Sequence, residues 1–244
     1  DPYFADGAEL RLEQRGWRPW RPTLELTVEE HGRPAYLAVD EAPLAGNEAP
    51  RPVRGVPEGR LLSLRAALRR EPPGGSGLAW WGHVSTEGAR FAAAPFLATS
   101  ISGGVRAEDH ARRRSLRAEG LLAAVTGDPP PQALLYIGGR GSLPGWPYRG
   151  FAGDRLGLVR AEADAEVAGP WVRLRALGAA GWTALRETAP PEGWDVAPTA
   201  GVRASVGLGV GLVHDVLRID RMLGLGDGHW ETVVTVSPRL TDLL

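Results

Sequence analysis

A glycine-rich run, Gly138-Gly139-Arg140-Gly141-Ser142-Leu143-Pro144-Gly145-Trp146, leads into Arg149-Gly150-Phe151 and then Gly153-Asp154. Glycines at that density let the backbone turn tightly. A guanidinium beyond them is always charged and can grip a carboxylate with two parallel hydrogen bonds. Carboxylates follow: Glu162, Asp164 and Glu166 alternate along the chain, the pair Arg173 and Arg175 comes next, and Asp220 lies between Arg218 and Arg221. This combination suits ion pairing better than bond making. The three alternating acids could imitate a glycosidase pair, but the arginines one turn later favour an ion-paired wall.

Other chemistry is poorly supported. The chain has 0 Cys, so it has no disulfide framework, thiolate metal site or Cys nucleophile. All 28 basic residues are Arg, which excludes a phosphate-loop or Schiff-base lysine. His31, His83, His110, His214 and His229 show no metal-ligand spacing. Glu108-Asp109-His110 reads as a polar turn, His214-Asp215 as a hairpin tip, and Arg112-Arg113-Arg114 as a solvated strand end. Ser142 follows Gly141 directly and does not form G-x-S-x-G, so no nucleophile elbow is expected. No catalysis, cofactor or metal is expected. A net charge of -1 argues against nucleic acid as a partner.

The elements that must position these residues show a period of two. Over 202–213, Val202, Ala204, Val206, Leu208, Val210 and Leu212 share one face, and Arg203, Ser205, Gly207, Gly209 and Gly211 share the other. The same alternation recurs over 156–167, 171–182, 216–223 and 229–237, and earlier around 9–13, 24–29, 62–69 and 115–124. Proline- and glycine-rich turns separate the runs. The pattern predicts roughly 10–12 antiparallel strands. Trp80-Trp81 and Phe91–Ile101 read as strands of weak alternation, and 40–59 reads as a long loop. No internal boundary is visible, so 1–244 is taken as one domain.

Two architectures share such strands. A soluble sandwich buries its apolar faces and shows its charges to water. A membrane barrel turns its apolar face to lipid and its charges to the lumen. Three features favour the barrel. The apolar face is Ala, Val and Leu with few large aromatics. The acids of 162–166 and Arg173 and Arg175 are complementary between neighbouring strands. Trp17, Trp20, Trp146, Trp171, Trp182 and Trp230 fall near strand ends, as indoles do at a membrane boundary. No apolar run reaches the 18 or so residues of a membrane helix.

The stretch 138–154 resembles the barrel of the bacterial surface-antigen family, which holds BamA- and TamA-type outer-membrane assembly factors and two-partner-secretion transporters. Its members carry GG-x-x-S-[LV]-R-G-[YF] in a long extracellular loop that folds into the lumen. Gly138, Gly139, Ser142, Leu143, Gly145 and Trp146 match in spacing, and Gly153-Asp154 and Glu162 follow in order. Arg173 to Trp182 looks like the family's F-x-D-x-G strand, and Arg218 through Trp230 like its closing hairpin. The likeness covers about 130–244 well and the first half by pattern alone.

The departures are specific. Pro144 takes the motif's arginine position, Ala179 takes the aspartate position, and the last residue, Leu244, stands where an aromatic is usual. Arg149, in Arg149-Gly150-Phe151, is the candidate replacement cation. Glu162, Asp164 and Asp220 are its candidate wall partners, with Gly181 on the same wall.

The resemblance implies a transmembrane β-barrel in the bacterial outer membrane. Its partners would be the lipid bilayer and unfolded outer-membrane or secreted polypeptides, with a role in protein assembly, translocation or anchoring an upstream domain. A family barrel has about sixteen strands, more than this length holds, so the chain is expected to be a C-terminal part. A passive pore or anchor barrel, and a soluble β-sandwich binding module, are the alternatives.

Overall fold

The computed structural model describes residues 4–14, 18–32, 57–71, 77–169, 171–186 and 197–236. Eleven strands form one antiparallel sheet in which each hydrogen-bonds to the next along the chain. They are β1 (Phe4–Glu13), β2 (Trp20–Gly32), β3 (Gly59–Arg70), β4 (Leu78–Phe91), β5 (Ala94–Asp109), β6 (Arg114–Gly127), β9 (Arg155–Ala168), β10 (Val172–Ala184), β11 (Arg203–Leu212), β12 (Leu217–Gly224) and β13 (Trp230–Val236). Two short strands, β7 (Leu135–Ile137) and β8 (Phe151–Gly153), pair separately within the long β6–β9 connection. The expected strand number and antiparallel order are therefore present. The second sheet among the described residues is only the two-stranded β7–β8 pair, too small to cover an eleven-stranded face as a sandwich would require. Among these residues β1 and β13 are the edges and do not pair.

Alternation sorts the side chains inside out. On β11, Leu208 is 71% exposed and Ser205 is 1% exposed. Leu122 and Val159 are more than half exposed, while Thr27, Ser63, Ser85 and Arg175 are buried. One face of the sheet is thus dominated by Leu, Val, Ile and Ala, interrupted by a row of glycines on β4–β6, by Thr86 and Thr99, and by Arg221 beside Leu208. Soluble monomers rarely show so large an apolar patch, but it is the outer surface of a membrane barrel. The β6–β9 connection packs on part of the opposite, polar face, where β7 and β8 lie against β6, β9 and β10.

The two ends of the strands differ. At one end the connections are tight, as at 110–113, 169–171 and 213–216. At the other lie the long connections 128–154 and 185–202, alongside the short turns at 92–93 and 225–229. Outer-membrane barrels place short turns toward the periplasm and long loops outside.

Three sequence expectations need correction or limits. Phe91–Ile101 is a hairpin, not one strand: β4 ends at Phe91, the chain reverses at Ala92-Ala93, and β5 begins at Ala94. Ala92 takes φ 54 there, a conformation with no Gly, Asn or Pro to announce it. Trp146 is no boundary indole, because it is 4% exposed inside the β6–β9 connection. Trp20, Trp182 and Trp230 do lie on the outward face and Trp171 is exposed in the 169–171 turn against His214, whereas Trp17 and most of the 40–59 loop fall outside the described residues.

Candidate functional site: a loop docked on an ion-paired wall

The β6–β9 connection begins at Gly127, turns through Pro131–Ala133, and narrows to the β7–β8 pair. Its tip, 138–150, closes on itself. Gly138 N–H donates to Ser142 Oγ at 2.9 Å, Leu143 N–H to Gly139 O at 3.0 Å, and Gly139 N–H to Trp146 O at 3.0 Å. Gly138 and Gly139 hold φ of 119° and 78°, in the region that favours glycine. The hydroxyl of Ser142 is therefore a structural acceptor, which accounts for a serine three residues after the second glycine.

The tip is driven against the wall by apolar burial. Ile137, Leu143 and Trp146 join Leu156 of β9 and Ala179 of β10 in one buried cluster, and Leu143 is fully buried. Gly181 forms part of the floor: a Cβ there would lie 3.3 Å from Ile137 Cδ1 and 3.1 Å from Leu158 Cδ1. The Trp146 indole N–H donates to Ala204 O at 3.0 Å, and its ring meets Phe151 edge-on at 5.7 Å. The Arg203 guanidinium lies 4.9 Å from the Trp146 ring centroid. Gly145 N–H donates to Glu231 Oε2 at 2.7 Å, and His229 N–H donates to Gly145 O at 2.9 Å. Arg160 of β9 donates to Gly141 O at 3.0 Å. Gly150 packs against Pro147, where a Cβ would sit 2.9 Å from its Cβ.

Beneath the tip, the wall carries a row of ion pairs. Arg175 of β10 holds Asp220 of β12 through Nη1 at 2.8 Å to each oxygen, and Glu162 of β9 through Nη2 at 2.6 Å and Nε at 3.1 Å. Its side chain is 5% exposed. Register explains the reach. Arg175 lies opposite Gly209 of β11, and Gly209 lies opposite Asp220. A Cβ on Gly209 would overlap the Asp220 carboxylate. The glycine thus clears a strand-wide gap for the salt bridge. Further toward the short-turn end, Arg173 pairs with Asp164 at 2.9 Å and Glu166 at 2.8 Å, and Arg113 adds a second contact to Glu166.

These positions bear directly on the sequence-derived site. Gly138, Gly139, Ser142, Gly145, Trp146, Gly150 and Phe151 all meet in the docked connection. Arg149 is there too, with φ 49°, its guanidinium 5.4 Å from the Tyr136 ring and 5.9 Å from the Tyr148 ring. It does not pair with Glu162, Asp164 or Asp220, because Arg175 and Arg173 hold those acids. Pro144 and Ala179 line a cavity of about 290 Å³ together with Glu162 and Asp220. The motif's two departed positions therefore face the acids that Arg175 neutralises. Spacing alone placed Arg175 on the polar face but could not show it as the shared partner, because that needs the β9–β12 register. Alternation likewise put Arg203 and Glu231 on the polar face, but nothing in their spacing linked them to the tip they hold.

No family model and no curated protein matches the chain. Solved structures do. CdiB from Acinetobacter baumannii superposes with a TM-score of 0.66 at 15% identity, covering 94% of this chain and 41% of CdiB. BamA from Haemophilus ducreyi lacking POTRA domains 1-3 gives 0.46 at 10% identity, covering 96% of this chain and 62% of that one. The chain thus spans less than half the length of CdiB. What it shares with CdiB is the fold, the antiparallel β-barrel architecture that the 138–154 motif led us to expect.

Proposed function

We propose that this chain is part of an outer-membrane β-barrel that assembles membrane proteins or translocates polypeptides. In this reading the β6–β9 connection plugs a charged lumen. The observation that carries it is the docking of the GG-x-x-S-L tip, with Leu143 and Trp146 buried, on the polar side of an inside-out sheet. A polar, ion-paired wall suits an extended polypeptide, whose backbone needs hydrogen-bonding surroundings inside a bilayer. The tip is held by one apolar cluster and by hydrogen bonds to Glu231, Arg160 and Ala204, none of them to Arg175, so it can leave without breaking the Arg175 ion pairs. The residues doing this work bind and seal; none acts as an acid, base or nucleophile. We take 1–244 as the C-terminal part of the barrel domain of a longer protein, with unfolded polypeptides and the bilayer as partners.

Depletion of the full-length protein in its host, followed by quantitation of outer-membrane and secreted proteins, tests this. Loss of barrel proteins supports assembly, and loss of a secreted polypeptide supports translocation. Tethering the tip, with cysteines introduced by Gly141→Cys and Arg160→Cys and joined through disulfides by a short bis-methanethiosulfonate bridge, is expected to block either activity, and added dithiothreitol to restore it.

A second reading is a passive pore or anchor barrel. It is favoured by one observation: the acids facing the tip, Glu162 and Asp220, are satisfied from the wall by Arg175, leaving no charge for a loop cation to find. Unchanged proteomes on depletion would select it.

A further inference from the structure

The outward face carries a feature that neither the docked tip nor the ion-paired wall uses. Arg70, Gly82, Gly103, Gly120 and Val159 are consecutive cross-strand partners on β3, β4, β5, β6 and β9. The three adjacent glycines open a trench across the sheet. Its banks are the exposed Leu68, Val84, Ile101 and Leu122 on one side and Trp80 and Val105 on the other. A hollow of about 720 Å³ runs over these glycines along the Leu68–Leu122 bank and continues past Gly157 to Trp182 and Val202.

Gly82 and Gly120 have no reason within the protein to be glycine. Neither has a left-handed φ, and a Cβ would meet nothing closer than 3.9 Å at Gly82 and 3.6 Å at Gly120. Glycine weakens a strand interior and often marks the close approach of a ligand.

The trench has a direction. Arg70 ends β3 at the short-turn end. From that same end Gly82 is four residues in from Leu78, Gly120 six in from Arg114, and Val159 nine in from Ala168. The row therefore starts at the membrane boundary and climbs into the apolar band. Three strand spacings give roughly 14 Å of trench along the row; with strands tilted about 35–45° it climbs about 8–10 Å, within one leaflet's half of a hydrocarbon core of about 30 Å.

Arg70 marks the wet end. Its guanidinium lies 3.3 Å from the Trp80 ring centroid and donates to Trp80 O, and Trp20 meets Trp80 edge-on at 6.3 Å. Its cross-strand partner on β2 is Trp20, and no carboxylate pairs with Arg70 among the described residues.

We propose that the trench holds one acyl chain of an anionic phospholipid whose phosphate meets Arg70, in the leaflet on the short-turn side. The inference rests on the membrane-barrel reading. The full chain is reconstituted into vesicles of phosphatidylethanolamine and phosphatidylglycerol, the latter with a diazirine on its acyl chain, and the labelled residues are mapped. Heat-modifiable gel mobility first isolates the inserted fraction. Failure to insert refutes the barrel reading, whereas insertion without focused labelling refutes only the trench.

The expected result is labelling concentrated on the outward residues of β4, β5 and β6. Arg70→Gln and Gly120→Leu should each weaken that focus about fivefold. Ala163→Leu, outward but off the trench, should leave it unchanged. Where Gly120→Leu does not insert, Gly82→Leu replaces it. Labelling spread evenly over the outward face, or a focus that survives Arg70→Gln or the glycine substitution, overturns the proposal.

Discussion

Replacing Arg175 with Met should be the most damaging single change in the wall. The guanidinium is 5% exposed and contacts Asp220 and Glu162, whose side chains are 14% and 30% exposed. Neither acid has another cation within salt-bridge distance among the described residues. Arg175→Met therefore leaves two half-buried carboxylates facing each other with no countercharge. Removing one partner of a fully buried pair costs about 3–5 kcal/mol. Both acids are partly exposed and line the cavity of about 290 Å³, which puts the expected loss at the lower end, about 3 kcal/mol. Reversible urea unfolding in lipid vesicles, followed by tryptophan fluorescence, measures it. The companion variant is Arg175→Met with Glu162→Gln and Asp220→Asn, which removes the stranded charges. It should recover at least half of the loss, because most of the damage is uncompensated charge and not a missing attraction. A loss under about 0.5 kcal/mol for Arg175→Met, the size of an exposed pair, would refute the reasoning. So would no recovery in the triple variant.

Gly209→Ala places a Cβ where the Asp220 carboxylate lies, so it should reproduce much of the Arg175→Met defect although it removes no charge; an unchanged unfolding midpoint would count against the register argument. Trp146→Ala deletes the largest side chain of the tip's cluster and should weaken docking by about 3–5 kcal/mol, read as raised conductance in planar bilayers and faster proteolysis between 138 and 150. Gly145→Ala combines a φ of 80° with a Cβ that would lie 2.7 Å from His229 O, and should release the tip while the strands stay folded. Leu208→Arg, at a 71% exposed outward position, should cost about 2–4 kcal/mol in a bilayer, whereas the same change on a soluble surface would be nearly neutral.

The fold was legible because period-two alternation reports burial directly, and 202–213 could be assigned face by face from composition. Which face meets lipid was less so: a sandwich and a barrel write the same strands, and only the exposure of Leu208 and Leu122 against the burial of Ser205 separates them. The Ala92-Ala93 reversal escaped because its geometry is imposed by the pairing of β4 with β5 and not by turn-forming residues. The docked tip was visible as a motif, since its glycines and Ser142 act locally. Its anchors were not, because Ala204 and Glu231 lie 58 and 86 residues away from their partners Trp146 and Gly145. The choice of Arg149 as the wall's cation followed chain proximity. The wall instead pairs residues 13 and 45 apart, Arg175 with Glu162 and with Asp220, across strands whose stagger no spacing rule contains.

The central claim is that this sheet spans a bilayer with its Leu/Val face outward and its charged face around a plugged lumen. Because the chain has no native Cys, single cysteines can be introduced at each position from 203 to 212 and labelled with a fluorophore after insertion into vesicles. The decisive measurement is quenching by brominated lipid against quenching by aqueous iodide along that strand. The account predicts strict alternation: lipid quenching at 204, 206, 208 and 210, and little at 205, 207, 209 and 211, where iodide access should rise once Trp146→Ala loosens the tip. Quenching that does not alternate, or iodide access at 206 and 208, would contradict it.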